Sequence, residues 1–218
     1  MKLVELNQIS QESVNTLTAS FDRLPYTNHK DGKYRLRRYS AVEMRTTFWN
    51  AKREIELMSL GRTDFTQSEE WNAHQGGMTR SFEPIEDEVL QSKGMKDMCA
   101  LFKDAYELID GQEIEIHQLR VRTLEGEPWT QVAPEGVHQD GYHYIAMIGI
   151  NRHNIEGGEL MAYVSKDSDP FLKYALEDGQ MLILNDKELW HNATPIKRNT
   201  ATVGYGDWFV LCAKKVKR

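Results

Sequence analysis

The sequence has little of what marks several large classes of protein. Its only cysteines, Cys99 and Cys212, are too few for a disulfide framework or a zinc cage. Both lie among apolar residues, which predicts buried free thiols. No stretch approaches 18 apolar residues, and the first ten residues lack the apolar segment of a signal peptide. We therefore expect no membrane span and a location in the reducing cytoplasm.

Excess positive charge is also lacking, since the formal net charge is −6. Nucleic-acid-binding proteins usually carry basic surfaces, so no nucleic-acid partner is expected. The basic residues that do cluster form two short groups, the second of which we interpret as a solvated tail. These groups are Arg35, Arg37 and Arg38, and Lys214, Lys215, Lys217 and Arg218.

The first half of the chain favours helices. With 40% hydrophobic and 28% charged residues, 218 residues read as one ordinary globular domain without repeats or linkers. Residues 42–58 and 89–108 place apolar side chains near helical spacing, so residues 1–110 are predicted to be mainly helical. Within them, residues 34–39 read as a strand, and His29 to Gly32 as a turn.

The second half favours strands separated by turn signals. The predicted strands are residues 113–122, 142–150, 157–164, 180–185 and 200–212. Five or six strands at this spacing predict a β-sandwich or barrel. The predicted fold class is therefore α+β. A helical N-terminal half would pack on a double-stranded β-helix core (a cupin-like jelly roll) spanning residues 111–212.

One group of residues suggests metal chemistry. His138 and Asp140 are two residues apart, so on a strand their side chains would point to the same face. His191, 53 residues later, would supply a third ligand from another element. Two histidines and one carboxylate form a facial triad, which leaves coordination positions open for a co-substrate and dioxygen.

Other histidines fit structural roles better. His29 and Asp31 repeat the same spacing, but Gly32 follows in a polar stretch, which is typical of a surface turn. His117 and His143 are interpreted as partly exposed or otherwise satisfied side chains.

Longer stretches around the triad resemble a known family. They are residues 65–68 (FTQS), Asn72, 76–85 (GGMTRSFEPI), 134–141 (PEGVHQDG), 150–159 (INRHNIEGGE), 182–186 (LILND) and 191–196 (HNATPI). These stretches look like the 2OG-Fe dioxygenase family that contains bacterial L-isoleucine 4-hydroxylase. The resemblance runs from about residue 35 to residue 211.

The resemblance implies an iron(II) enzyme that couples decarboxylation of 2-oxoglutarate to hydroxylation of a small substrate, often a free amino acid. Dioxygen would be the oxidant. Carried onto this chain, the iron ligands would be His138, Asp140 and His191. Related halogenases have a small residue in place of the carboxylate, so Asp140 indicates oxygen transfer.

In the family, the closing strand reads roughly Gly-Tyr-Arg-Asp, and this chain departs from that pattern. Gly206 stands where the arginine that anchors 2-oxoglutarate is expected. Two replacements are predicted: Arg198 with Thr200, or Arg120 with Gln118. A buried Arg120 would need an anionic partner, which could be 2-oxoglutarate, the substrate carboxylate or a structural acid.

Candidate substrate-binding residues are Arg80, Arg120 and Trp190. Arg80 would lie on a loop over the site or pin that loop, and Trp190 would be a substrate platform or a core residue. Two other functions stay open from the sequence. They are a cupin-like metal enzyme that does not use 2-oxoglutarate, and a non-catalytic binding module.

Overall fold

The computed structural model describes residues 4–72 and 74–215. Its helices are α1 (Gln11–Thr18), α2 (Asp87–Leu90) and α3 (Lys93–Tyr106), with a 3-10 turn at Ala19–Arg23. Its strands are β1 (Val4–Gln8), β2 (Arg35–Trp49), β3 (Lys52–Ser59), β4 (Asp64–Phe65), β5 (Arg80–Ser81), β6 (Gln112–Arg122), β7 (Tyr144–His153), β8 (Ile155–Gly157), β9 (Leu160–Tyr163), β10 (Leu172–Tyr174), β11 (Gln180–Leu184), β12 (Trp190–Ala193), β13 (Ile196–Arg198) and β14 (Tyr205–Ala213).

A large antiparallel sheet organises the molecule. Its seven strands follow the order β1-β11-β7-β14-β6-β2-β3, so four strands of the second half of the chain lie between β1 at one edge and the β2-β3 hairpin at the other. Smaller sheets, β10-β9-β12 and β13-β8, complete a jelly-roll-like fold. We call the face of the large sheet that points into the barrel the inner face, and the opposite one the outer face.

The outer face carries the helices. Strand residues alternate between faces, so Ile114, Ile116, Phe209 and Leu211 form one apolar layer with α1 and α3. Each helix begins with a serine, Ser10 for α1 and Ser92 for α3, whose hydroxyl accepts a hydrogen bond from the third residue on. The inner face packs a second cluster around Tyr39, Met147 and Leu160.

The predicted helical N-terminal half is wrong. Residues 42–58, predicted to be helical, lie in a hairpin of β2 and β3, and Trp49 pairs with Lys52 across a two-residue loop. Asn50 and Ala51 both have positive φ, as a type I′ turn requires. Val42 and Met44 are buried while Arg45 is exposed, so the period is two. Charged side chains on the open face hid that alternation.

Other expectations are confirmed. Residues 89–108 contain α3, each predicted strand of the second half overlaps an observed strand, and residues 29–32 form a turn. Cys99 and Cys212 are buried and free. Among the described residues, no helix is long and apolar enough to span a bilayer. Lys217 and Arg218 of the predicted basic tail lie outside the described residues.

Candidate metal centre

Two histidines face each other where the loop before β7 meets β12. His138 and His191 form an isolated antiparallel bridge, with N–H···O distances of 3.0 and 2.9 Å in the two directions. Their ring centroids are therefore only 4.3 Å apart. The backbone pairing, rather than side-chain contact, places the two imidazoles together.

Asp186 positions the backbone around Asp140, the carboxylate ligand of the triad. Its carboxylate accepts hydrogen bonds from the backbone N–H groups of Asp140, Gly141 and Tyr142, at 3.0 to 3.1 Å. Asp186 itself is fully buried. This arrangement turns the loop so that the Asp140 carboxylate meets the two histidines, although residues 138–140 are not part of a continuous strand.

The three side chains fit a single metal ion. Asp140 Oδ1 lies 3.6 Å from His138 Nε2, and Asp140 Oδ2 lies 3.5 Å from His191 Nε2. One ligand atom from each residue falls within 4.8 Å of the others. Two imidazole nitrogens and one carboxylate oxygen are the donor set of a non-haem iron(II) triad with open positions. The residues present therefore suit iron(II).

The electrostatics of the centre favour a bound cation. Burial alone would raise the pKa of Asp140, but the neighbouring His138 and His191 hold it well below its ordinary value. Burial opposes protonation of His138, yet Asp140 raises its pKa to about 9. Without metal, the carboxylate thus favours a proton on the His138 ring, and a metal ion would replace that proton.

Further groups orient the ligands. Gln67 Nε2 donates to Asp140 Oδ1 at 3.0 Å, and Gln67 Oε1 accepts from Arg80 Nη2 at 3.1 Å. His138 Nδ1 lies 2.8 Å from the carbonyl oxygen of Gly136, a hydrogen bond that holds the ring with Nε2 toward the triad. His191 Nδ1 lies 3.5 Å from Asp186 Oδ1 and makes no hydrogen bond among the described residues.

The triad opens into a cavity of about 110 Å³. Most of its lining is apolar, from residues such as Phe65, Met147, Leu160 and Trp208. Its few polar groups include Arg37, His117 and Glu135. A small apolar cavity with a few converging polar groups is typical of a small-molecule site.

Arg37 stands out within this cavity. Its guanidinium stacks over Phe65 and Phe82 at 5.4 and 5.1 Å, and Nη2 donates to His117 Nδ1 at 2.9 Å. Among residues 4–72 and 74–215, no carboxylate lies within ion-pairing distance of it, and Nε has no hydrogen-bond partner. Burial, followed by the charges of Arg35 and Arg80, lowers the pKa of Arg37 to about 9. Arg37 remains a cation at neutral pH and lacks an anion.

Glu135 supplies the opposite charge. Its Oε1 pairs with Arg35 Nη1 at 3.2 Å, while the buried Oε2 has no hydrogen-bond partner in the described structure. Burial would raise the pKa of Glu135, but the charge of Arg35 keeps it below its ordinary value. The cavity therefore offers one guanidinium and one carboxylate oxygen to a ligand.

The structure does not bring Arg120 and Gln118 to the cavity. Both point from β6 to the outer face, where Gln118 Nε2 donates to Ser20. Arg120 makes two hydrogen bonds to Asp207, at 2.6 and 2.8 Å, and one to Asp22 at 2.8 Å. Of the three partners considered for Arg120, the geometry matches the structural acid.

The other predicted binding residues also lie elsewhere. Thr200 is exposed and donates to Asn154 Oδ1, and Arg198 lies on β13 opposite Ile155. Trp190 neighbours His191 but points to the other face of β12, with Lys166 over its ring. None of them lines the cavity formed by the described residues. Arg80 reaches the triad through Gln67 and stacks over Phe65 at 5.0 Å.

Sequence reasoning missed Arg37, Glu135, Gln67 and Asp186. All four lie in stretches noted for basic charge or family resemblance, but no role was assigned to them. Arg35 and Arg37, two residues apart on a predicted strand with Tyr39 following, did carry a usable signal, because all three share one face.

The comparisons with known proteins agree with this fold and centre. The model of the 2OG-Fe dioxygenase family matches residues 18–212. The chain therefore belongs to the 2OG-Fe dioxygenase family and is an iron(II)- and 2-oxoglutarate-dependent dioxygenase. No curated relative matches the chain by sequence.

Solved structures share the fold at low identity. A bsmA homolog from Methylobium petroleophilum PM1 is 24% identical, with a TM-score of 0.76 over 95% of this chain and 82% of that one. IDO from Bacillus thuringiensis is 16% identical, with a TM-score of 0.71 over 97% and 90%. The Fe(II)/α-ketoglutarate-dependent dioxygenase TqaL is 11% identical, with a TM-score of 0.68 over 100% and 84%.

Proposed function

We propose that the protein hydroxylates a small free amino acid at an iron(II) ion held by His138, Asp140 and His191. The observation that carries this proposal is a guanidinium and a carboxylate oxygen beside the triad that the described residues leave without a partner. Arg37 has no acid partner among them, and Glu135 Oε2 has no donor, although Oε1 pairs with Arg35. The unmatched cation would take a carboxylate, and the unmatched oxygen would take an ammonium group.

The size and lining of the cavity support a small substrate. A volume of about 110 Å³ suits a small molecule. Phe65, Met147 and Leu160 exclude water around the side chain of the substrate, which favours an aliphatic one. The sequence resemblance to the family that contains L-isoleucine 4-hydroxylase supports the same class of substrate.

The residues of the chain would divide the work as follows. His138, Asp140 and His191 would hold iron(II), while Asp186 and Gln67 keep the ligands oriented. Arg37 and Glu135 would orient the amino acid so that its side chain faces the metal. Bound iron(II) and 2-oxoglutarate supply the activation of dioxygen, with succinate and carbon dioxide as by-products.

The first experiment measures succinate formed by iron(II)-loaded protein in air, across a panel of free amino acids. Each amino acid is paired with its methyl ester and its N-acetyl derivative. We expect stimulation by a free amino acid and weak stimulation by either derivative, because each derivative removes one charge of the zwitterion.

Variants then assign the two charges. Arg37→Met should lose the preference for the free acid over the ester, and Glu135→Gln the preference for the free amine over the acetylated one. Arg53→Met and Glu156→Gln, which alter ion pairs with Asp104 and Lys197 at the surface, are the matched controls. Equal turnover of acid, ester and acetyl forms by the unchanged protein would refute the amino acid proposal.

The metal ligands need a separate test. His138→Ala and Asp140→Ala should lose iron affinity and succinate formation together, whereas His143→Ala, which lies outside the cavity lining, should keep both. Tight iron binding by both triad variants would show that the metal is held elsewhere.

A further inference from the structure

A second arginine, half-buried, lies beside Gly158, which lines the cavity. Arg152 on β7 pairs directly opposite Gly206 on β14, and both residues face inward at that level of the barrel. A bulge between Asp207 and Trp208 changes the register there. Gly206 has no side chain to offer a ligand, so its cross-strand neighbour is the basic residue at this position.

The space beside Gly206 is filled rather than empty. A Cβ added to Gly206 would lie 1.9 Å from Cη2 of Trp208, whose indole lines the cavity. A longer side chain at position 206 therefore cannot enter the barrel unless that indole moves. Any basic group that serves this end of the cavity has to come from another strand.

Arg152 is available for a ligand. Its Nη2 donates to the carbonyl oxygen of Gly157 at 2.5 Å, but its buried Nη1 has no hydrogen-bond partner among the described residues. None of the carboxylates in residues 4–72 and 74–215 forms an ion pair with it. A buried guanidinium nitrogen without a partner is costly, and an anionic ligand would remove that cost.

Gly158 opens the path from Arg152 to the cavity. Gly158 lines the cavity and has φ +69°, and a Cβ built on it would lie 3.4 Å from Arg152 Nη1 and 3.5 Å from Trp208 Cζ2. A side chain at position 158 would cover the guanidinium nitrogen. The bare glycine instead leaves a cradle between Trp208 and Arg152.

We infer that Arg152 binds the far carboxylate of 2-oxoglutarate in the cradle between Gly158 and Trp208. The co-substrate is a dianion whose 2-oxo acid end meets the metal, so its other carboxylate needs a cation inside the cavity. Arg35 is occupied by Asp31 and Glu135. This inference rests on the 2-oxoglutarate dependence of the family and not on the amino acid proposal.

The test compares two ligands that differ only at the group in question. 2-Oxopentanoate has the same chain length as 2-oxoglutarate but carries a methyl group in place of the far carboxylate. Both are titrated calorimetrically into iron(II)-loaded protein under argon, without amino acid, so that binding is measured and turnover is not. Arg152→Met should weaken 2-oxoglutarate binding about 10- to 100-fold and leave 2-oxopentanoate within about twofold.

Two further variants complete the design. Arg122→Met, on β6 opposite Tyr205, removes a cation near the same level of the sheet and should leave both affinities unchanged. Arg152→Lys keeps the charge and should lose less selectivity than Arg152→Met. For each variant, the result is the ratio of its affinities for the two ligands. Misfolding lowers both affinities and leaves the ratio unchanged, whereas loss of the anchor changes the ratio.

Other results would overturn the assignment. If Arg152→Met weakens both ligands equally, Arg152 supports the fold and not the carboxylate. If Arg37→Met or Arg198→Met abolishes the selectivity and Arg152→Met does not, the anchor is one of those residues. Failure of the amino acid panel would leave this titration unaffected, so the two proposals fail separately.

Discussion

Two arginines on neighbouring strands, Arg37 on β2 and Arg120 on β6, show how differently one sheet treats the same side chain. Each lies opposite a leucine of the other strand, so they point to opposite faces. Arg120, on the outer face, is bound by Asp207 and Asp22. Arg37, on the inner face, has aromatic rings and His117 around it but no acid.

The presence or absence of a carboxylate partner within the chain distinguishes a structural arginine from one that could bind a ligand. Both side chains are about nine-tenths buried, so burial alone does not distinguish them. The N–H groups and the charge of the outer-face guanidinium are paired with carboxylates of the same chain. The inner-face guanidinium is left unmatched beside the metal triad, which is the arrangement a ligand carboxylate would complete.

We expect the largest effect on stability from the removal of Arg120. Arg120→Met leaves the fully buried carboxylate of Asp207 without its main partner, and should lower the free energy of unfolding by about 3–5 kcal/mol. Urea denaturation at pH 7 measures the loss, with Arg122→Met on the same strand as the control. A loss below about 1 kcal/mol would show that the pair does not hold the fold.

The converse substitution, Arg37→Met, should leave the fold intact and harm binding. Removing an unpaired buried cation should raise the free energy of unfolding by about 1 kcal/mol. The proposed loss of a charge-assisted hydrogen bond should cost about 1.5–3 kcal/mol in amino acid binding. Urea denaturation and substrate titration check the two effects. Destabilisation as large as that of Arg120→Met would contradict the distinction between the two arginines.

Gly206→Ala tests whether the inner face has room at the closing strand. The added methyl group would collide with the Trp208 indole, so we expect a loss of about 1–2 kcal/mol in unfolding free energy. The double variant Gly206→Ala/Trp208→Leu should recover part of this loss. If Gly206→Ala is neutral by urea denaturation and Trp208 fluorescence is unchanged, the indole does not fill that space.

The smallest effect concerns His117, the neutral partner of Arg37. Burial, followed by the charge of Arg37, holds the pKa of His117 well below its ordinary value of 6.5. Below about pH 6.5, His117 therefore binds a proton in the unfolded chain but stays neutral in the folded protein. The free energy of unfolding consequently falls as the pH falls. His117→Gln should reduce that fall by about 1 kcal/mol per pH unit between pH 6.5 and 5.

Urea denaturation at several pH values measures this slope. His29→Gln, which makes the same substitution at the turn before β2, is the matched control. An identical slope in His117→Gln would show that His117 is protonated in the folded protein, and its hydrogen bond from Arg37 would then need another explanation.

Much of the fold was predictable because local patterns agreed with it. The predicted strands of the second half and the helix within residues 89–108 are present, since turn residues and periodicity marked each of them. The hairpin at residues 42–58 was not recognised. Its charged residues face water on one side, and what decides such a segment is pairing with β6, which a local pattern does not contain.

The centre was predicted unevenly for a related reason. His138, Asp140 and His191 were grouped from their types and surroundings, and the structure brings them together. The arginines were misplaced because the alternation within β6 shows that Arg120 and Leu119 face opposite ways, but not which way is inward. Helices packing on one face of the sheet make that choice.

The sequence by itself determined the chemistry available to this protein. It supplied an iron-binding set of residues, the strands that present it, and a glycine at position 206, where the family resemblance implies an arginine. Which charged side chains have an ion-pair partner within the chain depends on the tertiary structure. Partners such as Asp207 for Arg120, or Trp208 against Gly206, come from strand register and sheet curvature. A carboxylate stabilises a guanidinium only at a distance that the folded backbone sets.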